Sequence, residues 1–159
     1  MPEIVLLLAS PLHRYEGRPR DGAVPFEGDE LPSSITLKRG LGVVGDRYFG
    51  HAAHRQASVT IMAMESLDAL GAVDPARTRR NILTRGIDID SMRGREFSLD
   101  SGEGPVWFQA HRPANPCAWM NEQLAPGAFA HLRNHGGMRC EPLSDGILRV
   151  GEVTLALRS

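Results

Sequence analysis

Hydrophobic residues along the chain fall into many short runs separated by turns, a pattern typical of short β-strands. Residues 4–9 are continuously apolar and end at Ser10-Pro11, as a buried strand does. Residues 58–62 alternate between apolar and polar positions, and residues 81–83 form a short apolar run. Further strands are predicted at residues 35–38, 96–99, 106–110, 138–143, 147–150 and 153–157, with turns at 101–105, 144–146 and 151–152.

Helical patterns are few and short. Residues 64–70 predict a helix that ends at Gly71, and two short helices broken at Pro126 follow Pro116. Residues 13–34 are rich in glycine, proline and charge and predict a long loop. Because many short strands occur without a βαβ rhythm, the chain is predicted to be mainly β. We expect a β-barrel with helical inserts, in a single domain over residues 1–159.

Bulk composition narrows the function classes. Apolar residues make up 42% of the 159 residues, which is enough for a core, and the net charge of −1 gives no reason to expect nucleic acid or a membrane surface as partner. The apolar run near the N-terminus is too short to span a bilayer. Two cysteines do not make a secreted disulfide framework, so we expect a reducing, cytoplasmic location.

The charge is nevertheless uneven along the chain. Four arginines crowd one short segment, namely Arg77, Arg79, Arg80 and Arg85. Guanidinium groups match the geometry of carboxylate, sulfate and phosphate better than lysine does. The composition therefore predicts a small anionic partner in preference to a polymer.

The stretch ANPCAWMN at residues 114–121 contains the main candidate for chemistry, Cys117. Asn115 is a suitable N-cap and Pro116 suits a first helical turn, which would place Cys117 at a helix N-terminus. Positive charge from that terminus and from Arg112 would favour a thiolate. A thiolate can attack sulfur or carbon, carry a persulfide or bind a soft metal. A packed, unreactive cysteine is the alternative, and the local sequence leaves both open.

The other cysteine and one histidine pair point to structural roles. Cys140 lies in a strand-like run and is predicted to pack in the core, and a Cys117–Cys140 disulfide is not expected in the cytosol. His51 and His54 have the spacing of two metal ligands on a helix, but no third ligand follows at a spacing typical of a metal site. A structural role is therefore favoured for this pair. His135, by contrast, precedes a Gly-Gly turn that can bring backbone N–H groups close to a ligand.

Two polar segments are candidates for anion binding. In GDRYFG, Asp46 and Arg47 form either an ion pair at a strand end, which the segment alone favours, or a site where Arg47 faces an anion. In TRRNILTRGIDID, the side chains of Asn81, Thr84 and Arg85 can converge on one oxyanion. A solvated strand end explains the second segment equally well.

The order of these motifs resembles a MOSC domain, the module named for the C-terminal region of molybdenum-cofactor sulfurases. The motifs are GVVGDRYFG, RRNILTRGIDID, HRPANPC and HGGMRCEPLSDGILRVGEVTLAL, and the resemblance covers roughly residues 36–157. It implies a β-barrel of MOSC type with a few short α-helices, in a small stand-alone member.

The resemblance also implies a function. The domain would bind the anionic molybdenum cofactor, molybdopterin, or carry sulfur destined for it. Cys117 would be the reactive residue, either as a persulfide or as a ligand of molybdenum. The motif segments and the residue-level candidates above together give the expected cofactor-binding positions. These are Asp46, Arg47, Asn81, Thr84, Arg85, Arg112 and His135.

Two other functions remain open at this point. One is a component of a molybdenum-dependent reductase, which needs an electron-transfer partner because the chain has no flavin, haem or iron–sulfur signature. The other is a non-enzymatic barrel that binds an anion or a protein, with Cys117 packed inside. A sulfur-carrier role would require a sulfur donor protein. No nucleic acid and no membrane is expected as partner.

Overall fold

The computed structural model describes residues 1–158, which contain eleven strands and three short α-helices, so the chain is mainly β as predicted. The strands are β1 Glu3–Leu7, β2 Ser34–Lys38, β3 Gly42–Val43, β4 Val59–Ala63, β5 Ile82–Arg85, β6 Glu96–Asp100, β7 Pro105–Pro113, β8 Met138–Pro142, β9 Gly146–Arg149, β10 Gly151–Glu152 and β11 Thr154–Arg158. The helices are α1 Glu65–Asp68, α2 Trp119–Gln123 and α3 Ala128–His131. None of the helices within these residues is long and apolar enough to cross a membrane.

Eight strands form a nearly closed, barrel-like sheet in the order β10-β1-β5-β4-β8-β7-β6-β11. Strands β4 and β5 are parallel, and the other neighbours in this sheet are antiparallel. Because β10 and β11 are consecutive in sequence but lie at opposite ends of the order, residues 151–158 connect the two edges. Strands β3, β2 and β9 form a second, three-stranded sheet.

Apolar side chains fill the inside of the barrel. Along β7, Val106, Phe108 and Ala110 are buried at alternate positions, as expected for a strand with one face on the core. Phe108 pairs with Phe97 of β6, and their ring centroids are 5.5 Å apart. This core gives the barrel a fixed shape from which the loops project.

A second apolar cluster covers the outer face of β4 and β5. Met62 and Leu83 on these strands pack against Leu67, Met120 and Leu132 from the helical segments. Strand β4 is therefore buried on both faces, which explains why all five of its residues are inaccessible. The cluster fixes α2 against the barrel, close to the start of β5.

The helix predicted directly after Pro116 begins later than expected. Helix α2 starts at Trp119 with Ala118 at the N-cap, so Asn115 does not cap it and Cys117 precedes it. Residue 114 is held in other contacts, because the Ala114 N–H donates to the Gly137 carbonyl and the Ala114 carbonyl accepts from Arg80. The predicted helix at 64–70 is likewise confined to α1, and the two-residue strands β3 and β10 were not predicted.

The predicted loop at residues 13–34 contains one regular element, a 3-10 turn at Pro19–Asp21. Its ends are held by backbone hydrogen bonds, from Ala9 N–H to the Glu30 carbonyl and from Val24 N–H to the Arg14 carbonyl. The loop lies beside the start of β5, because Glu30 in the loop accepts a hydrogen bond from Arg79.

Truncation of the barrel core tests this packing. Phe108→Ala removes a fully buried ring and is expected to lower the free energy of unfolding by about 3–5 kcal/mol, the usual cost of a large buried cavity. Val150→Ala, at a side chain that is 48% exposed, serves as the control and should change stability by at most about 0.5 kcal/mol. Urea unfolding measures both, and equal effects would contradict the assigned core.

Candidate functional site

Cys117 opens into a cavity of about 210 Å³ that arginine side chains line. The lining comes from distant parts of the chain, and none of it is a carboxylate. The residues are His13, Arg14, Tyr15, Arg47, Tyr48, Thr60, Thr78, Arg79, Arg80, Asn115, Cys117, Trp119, Met120 and Arg139. The cavity is therefore positively charged and contains one thiol.

Three structural elements bring the key residues together. Arg80 lies just before β5, which runs parallel to β4. Arg139 in β8 pairs with Thr60 in β4, and both face away from the barrel interior. Cys117 lies in the connection from β7 to α2. The cavity is thus built at one end of the outer face of strands β5, β4 and β8.

Arg80 is buried and has no acidic partner. It exposes 8% of its surface, and no carboxylate of residues 1–158 lies within 4.0 Å of its guanidinium nitrogens. Three of its N–H groups donate to the carbonyls of Gly136, Ala114 and Thr78, at 3.1, 3.2 and 3.5 Å. Since a guanidinium has five N–H donors, two of those of Arg80 make no hydrogen bond within residues 1–158.

Burial makes this charge costly. Burial and then the positive charge of Arg139 lower the pKa of Arg80 to about 10, while the nearby Cys117 sulfur acts in the opposite direction. A buried charge is normally compensated by an opposite charge, because hydrogen bonds to neutral carbonyls replace only part of its hydration. An anion in the cavity would provide that compensation. Arg139 also has no carboxylate partner within residues 1–158.

Arg79, in contrast, is already paired. Its φ of 60° is unusual for a non-glycine residue and ends the 3-10 turn at Pro75–Thr78. Its guanidinium donates to Glu30 at 2.8 Å, and Glu30 also accepts hydrogen bonds from Arg14 at 3.0 Å and from the Ser10 hydroxyl. Burial alone would raise the pKa of Glu30, but these bonds outweigh it and lower the pKa. Glu30 thus ties the loop to the cavity wall.

Arg47 forms the ion pair that its segment predicts, and it also lines the cavity. Its guanidinium donates to Asp46 at 3.1 Å and to the Arg79 carbonyl at 3.2 Å, and it lies over the Tyr48 ring at 4.7 Å. Asp46 is buried and also accepts from the Ser10 N–H. Asp46 therefore orients Arg47 but does not itself line the cavity.

Aromatic side chains form another part of the wall. The Tyr15 and Trp119 rings are stacked, with centroids 4.8 Å apart and planes 9° from parallel. The Tyr15 hydroxyl donates to the Arg77 carbonyl, and burial raises the pKa of Tyr15 to about 12. His13 also lines the cavity, and burial and the charge of Arg47 lower its pKa, which favours the neutral form.

The two cysteines have opposite environments. Cys117 is exposed, whereas Cys140 is buried in the barrel and burial raises the pKa of its thiol strongly. The five-residue α2 begins beyond Cys117, so the helix-terminus argument for a thiolate does not apply. Any positive field at the Cys117 sulfur comes from the guanidinium groups of the cavity.

Three of the residues predicted for the site lie elsewhere. Asn81 is buried and joins strands, accepting from Thr60 N–H at 2.9 Å and donating to the Leu8 carbonyl at 3.1 Å. Thr84 is fully buried, and its hydroxyl has no hydrogen-bond partner among residues 1–158. Arg85 makes a bidentate pair with Asp68 at 3.0 and 3.1 Å, and that bond lowers the pKa of Asp68. The expectation that Arg85 shares a cavity with Cys117 is thus not met.

Arg112 and His135 also lie outside the cavity. Arg112 is opposite Arg139 on β7, but it lines a separate depression with residues 52–57. His135 lines a cavity of about 490 Å³ with Asp90 and His131. The Gly-Gly turn after His135 serves packing, since a Cβ at Gly136 would lie 2.1 Å from the Ala114 carbonyl oxygen.

Sequence reasoning did not select Arg80 and Arg139 as site residues. Arg80 belongs to the arginine cluster that the composition singled out, so a signal for it existed. Arg139 is an isolated arginine within a strand, and only the pairing of β8 with β4 places it beside Thr60. No three His, Cys, Asp or Glu side chains within residues 1–158 are grouped as a metal site.

Comparison with known proteins supports the fold and leaves the chemistry open. No protein-family model and no curated protein sequence matches the chain. Solved structures do match it. The YuaD protein of Bacillus subtilis has a TM-score of 0.73 and 14% identity, over 100% of this chain and 97% of that chain.

Two YiiM structures agree with this match. YiiM from Escherichia coli has a TM-score of 0.61 and 17% identity, over 99% of this chain and 70% of that one. YiiM from Geobacillus stearothermophilus has a TM-score of 0.63 and 14% identity, over 100% and 76%. Because YiiM is a MOSC-domain protein, the chain has a MOSC-like fold, as the motif order implied.

Glu30→Gln tests the anchoring of the loop through its dependence on pH. The substitution should lower the free energy of unfolding at pH 7 by about 2–3 kcal/mol, because the buried guanidinium of Arg79 and the partly exposed one of Arg14 lose their charge partner. The pKa of Glu30 is lowered in the folded state, so its contribution is complete above the ordinary glutamate pKa of about 4.3. It is lost as the pH falls through the lowered value.

Urea unfolding of wild type and Glu30→Gln from pH 7 to pH 3 measures this difference, which should narrow in acid. Glu103→Gln is the matched control, because the Glu103–Arg149 pair is solvent-exposed and should contribute at most about 1 kcal/mol. A difference for Glu30→Gln that stays constant with pH would contradict the assigned ion pairs.

Proposed function

We propose that the cavity binds the anionic end of a pterin-type molybdenum cofactor and that Cys117 contacts it through a thiolate. The observation that carries the proposal is the buried, uncompensated guanidinium of Arg80 beside the exposed thiol of Cys117. A charge that has lost its water and has no carboxylate partner is an energetic reason for an anionic ligand. The MOSC-like fold supports the identity of that ligand.

The donor set is suited to such a cofactor. Arg80 and Arg139 offer guanidinium N–H groups of the kind that bind phosphate, and Asn115 adds an amide. The Cys117 thiolate is a soft ligand, of the kind that binds soft metal centres. The cavity of about 210 Å³ is smaller than the 300–1,000 Å³ typical of pockets that enclose a whole ligand. We therefore assign only the anionic end of the cofactor to the cavity.

Each residue of the cavity has a distinct part in this proposal. Arg80 and Arg139 bind the anion, and Asp46 keeps Arg47 oriented beside them. The stacked Tyr15 and Trp119 rings provide a flat wall that limits water on one side. When bound, the cofactor supplies a redox-active metal. Any reductase activity would still require an external electron donor.

The exposure of Cys117 favours a second use of the same site, as a sulfur carrier. A donor protein can reach an exposed sulfur atom, whereas a thiol at the bottom of a narrow cavity would be shielded. The Cys117 thiolate would accept a sulfane sulfur from a donor persulfide, and the donor would be released as its thiol. The guanidinium groups would then favour the anionic form of the Cys117 persulfide.

Inorganic phosphate and sulfate test the anion site without any cofactor. Either ion should raise the melting temperature of the wild-type protein, and saturation to 100 times the Kd corresponds to about 2.7 kcal/mol of stabilisation. Arg139→Gln should weaken the effect, because one of two unpaired guanidiniums is lost. Arg93→Gln is the control, since it makes the same change of net charge at an exposed position outside the cavity.

Thermal melts in chloride and in phosphate at equal ionic strength measure the effect. If Arg139→Gln and Arg93→Gln lose stabilisation equally, the ions act on the general charge of the protein and the cavity is not an anion site.

Co-expression with the cofactor biosynthesis proteins tests the proposed ligand. Wild-type protein should be isolated with molybdenum and pterin, with cyanide-labile sulfur, or with both, and Cys117→Ala should lose the sulfur and reduce the metal content at least about tenfold. Cys140→Ala is the matched control, because that thiol is buried away from the cavity. Metal analysis, pterin fluorescence and cyanolysis measure the three quantities separately.

The results separate the candidate functions. Molybdenum and pterin without labile sulfur indicate a cofactor-binding domain, and labile sulfur alone indicates a sulfur carrier. If none of the three is enriched over the Cys117→Ala protein, both proposals are wrong and a non-enzymatic binding barrel is the remaining interpretation.

A further inference from the structure

The Cys117 cavity combines a reactive group with an unusual charge balance. Of its five lining arginines, Arg47 is paired with Asp46, and Arg14 and Arg79 are paired with Glu30. Arg80 and Arg139 have no carboxylate partner within residues 1–158, and no acidic side chain lines the cavity. Since Glu30 is one carboxylate shared by two arginines, two negative charges face five positive ones, and about three positive charges remain uncompensated next to a thiol.

This balance selects among molecules that react with thiols. A small disulfide with carboxylate groups is attracted to the cavity, whereas one with ammonium groups is repelled. Two N–H donors of Arg80 have no partner in the part of the chain that the structure describes, and such donors are suited to a carboxylate. Because the thiol is exposed, the attached group can extend into solvent and need not fit wholly inside the cavity.

We propose that Cys117 is a charge-selective thiolation site, which exchanges with small disulfides that carry carboxylates. This inference goes beyond the proposed cofactor role, because it requires neither metal nor pterin. A disulfide formed there would fill the cavity mouth with an acidic group and so would compete with any other anion for Arg80 and Arg139.

The exchange is balanced without a further reactant. The Cys117 thiol first loses its proton to solvent, and the thiolate sulfur attacks one sulfur of the disulfide. A new sulfur–sulfur bond forms as the original one breaks, and the departing thiolate takes the electron pair and a proton from water. The Cys117 sulfur is oxidised and the released thiol is the reduced product.

Cys140 provides an internal reference for the assignment. It is fully buried in the barrel, and burial raises the pKa of its thiol strongly. Thiolates are the reacting species in exchange, so Cys140 should remain unmodified in the folded protein. A single adduct per chain, absent in Cys117→Ser, is therefore expected.

The test compares three disulfides on the metal-free protein at low ionic strength. The probes are glutathione disulfide, which is acidic, cystamine, which is cationic, and 2-hydroxyethyl disulfide, which is neutral. Mass spectrometry follows adduct formation, and each rate is divided by the rate of the same disulfide with 2-mercaptoethanol. The normalised rate for glutathione disulfide should exceed that for cystamine roughly tenfold or more, the range that local fields produce.

Two controls locate the source of this preference. Arg139→Gln should reduce the acidic-to-neutral rate ratio roughly threefold, as expected for one charge several ångströms away in water, whereas Arg93→Gln should leave the ratio unchanged. In the wild type, inorganic phosphate should slow the reaction of Cys117 with glutathione disulfide more than chloride of equal ionic strength does. That comparison requires no variant to fold.

The inference is overturned if the acidic and cationic disulfides react at equal normalised rates, or if Arg139→Gln and Arg93→Gln have the same effect. It is also overturned if Cys117→Ser still forms the adduct. Because molybdenum and pterin loading is measured separately, a charge-selective exchange in a protein that never binds the cofactor would uphold this inference and refute the proposed function.

Discussion

The guanidinium of Arg80 is the interaction on which the rest of the site depends. It holds together three separate chain segments, because its N–H groups donate to carbonyls of Thr78, Ala114 and Gly136. Those segments are the turn before β5, the connection after β7 and the Gly-Gly turn before β8. The carbonyls hold the charge in place without neutralising it. Arg80 therefore helps to form the cavity, and its uncompensated charge would be stabilised by a bound anion.

The acidic residues near the cavity do not neutralise Arg80, because each of them is already paired with another arginine. Glu30 is occupied by two arginines and Asp46 by Arg47, and neither carboxylate lines the cavity. Both acidic residues lie behind their arginines, where they set the orientation of the guanidiniums. A cofactor phosphate, a persulfide and an acidic disulfide would all be favoured by the same field. These three functions thus differ in the chemistry of Cys117 and share one electrostatic cause.

Patterns of local origin could be predicted from the sequence, and contacts between distant segments could not. The apolar run at residues 4–9 and the alternation around Phe108 correspond to β1 and β7, because each pattern reflects burial of its own strand. The arginine cluster indicates an anion, but the pattern of its segment points to Arg85 and does not single out Arg80. Arg85 turns to Asp68 on α1, a pairing that depends on how the helix packs on β4 and β5. The role of Asn81 depends on distant segments in a similar way, since its amide satisfies backbone groups of neighbouring strands.

The motif order gave a correct expectation of a MOSC-like fold, and it identified a cysteine that is exposed beside guanidinium groups. The surroundings of Cys117 differ from those that the sequence predicts. The sequence predicts a helix N-terminus at Cys117, but Ala114 is held by contacts with Arg80 and Gly137, and α2 begins only at Trp119. The field at Cys117 is therefore a tertiary property, assembled from residues far apart in the sequence.

A crystal soaked in selenate tests the central claim most directly, because the anomalous signal of selenium locates the bound anion. We predict a peak in the cavity with selenate oxygens about 2.7–3.2 Å from guanidinium nitrogens of Arg80 or Arg139, on the side that faces the Cys117 sulfur. Selenate found only at other surface arginines, with the cavity filled by water, would contradict the account.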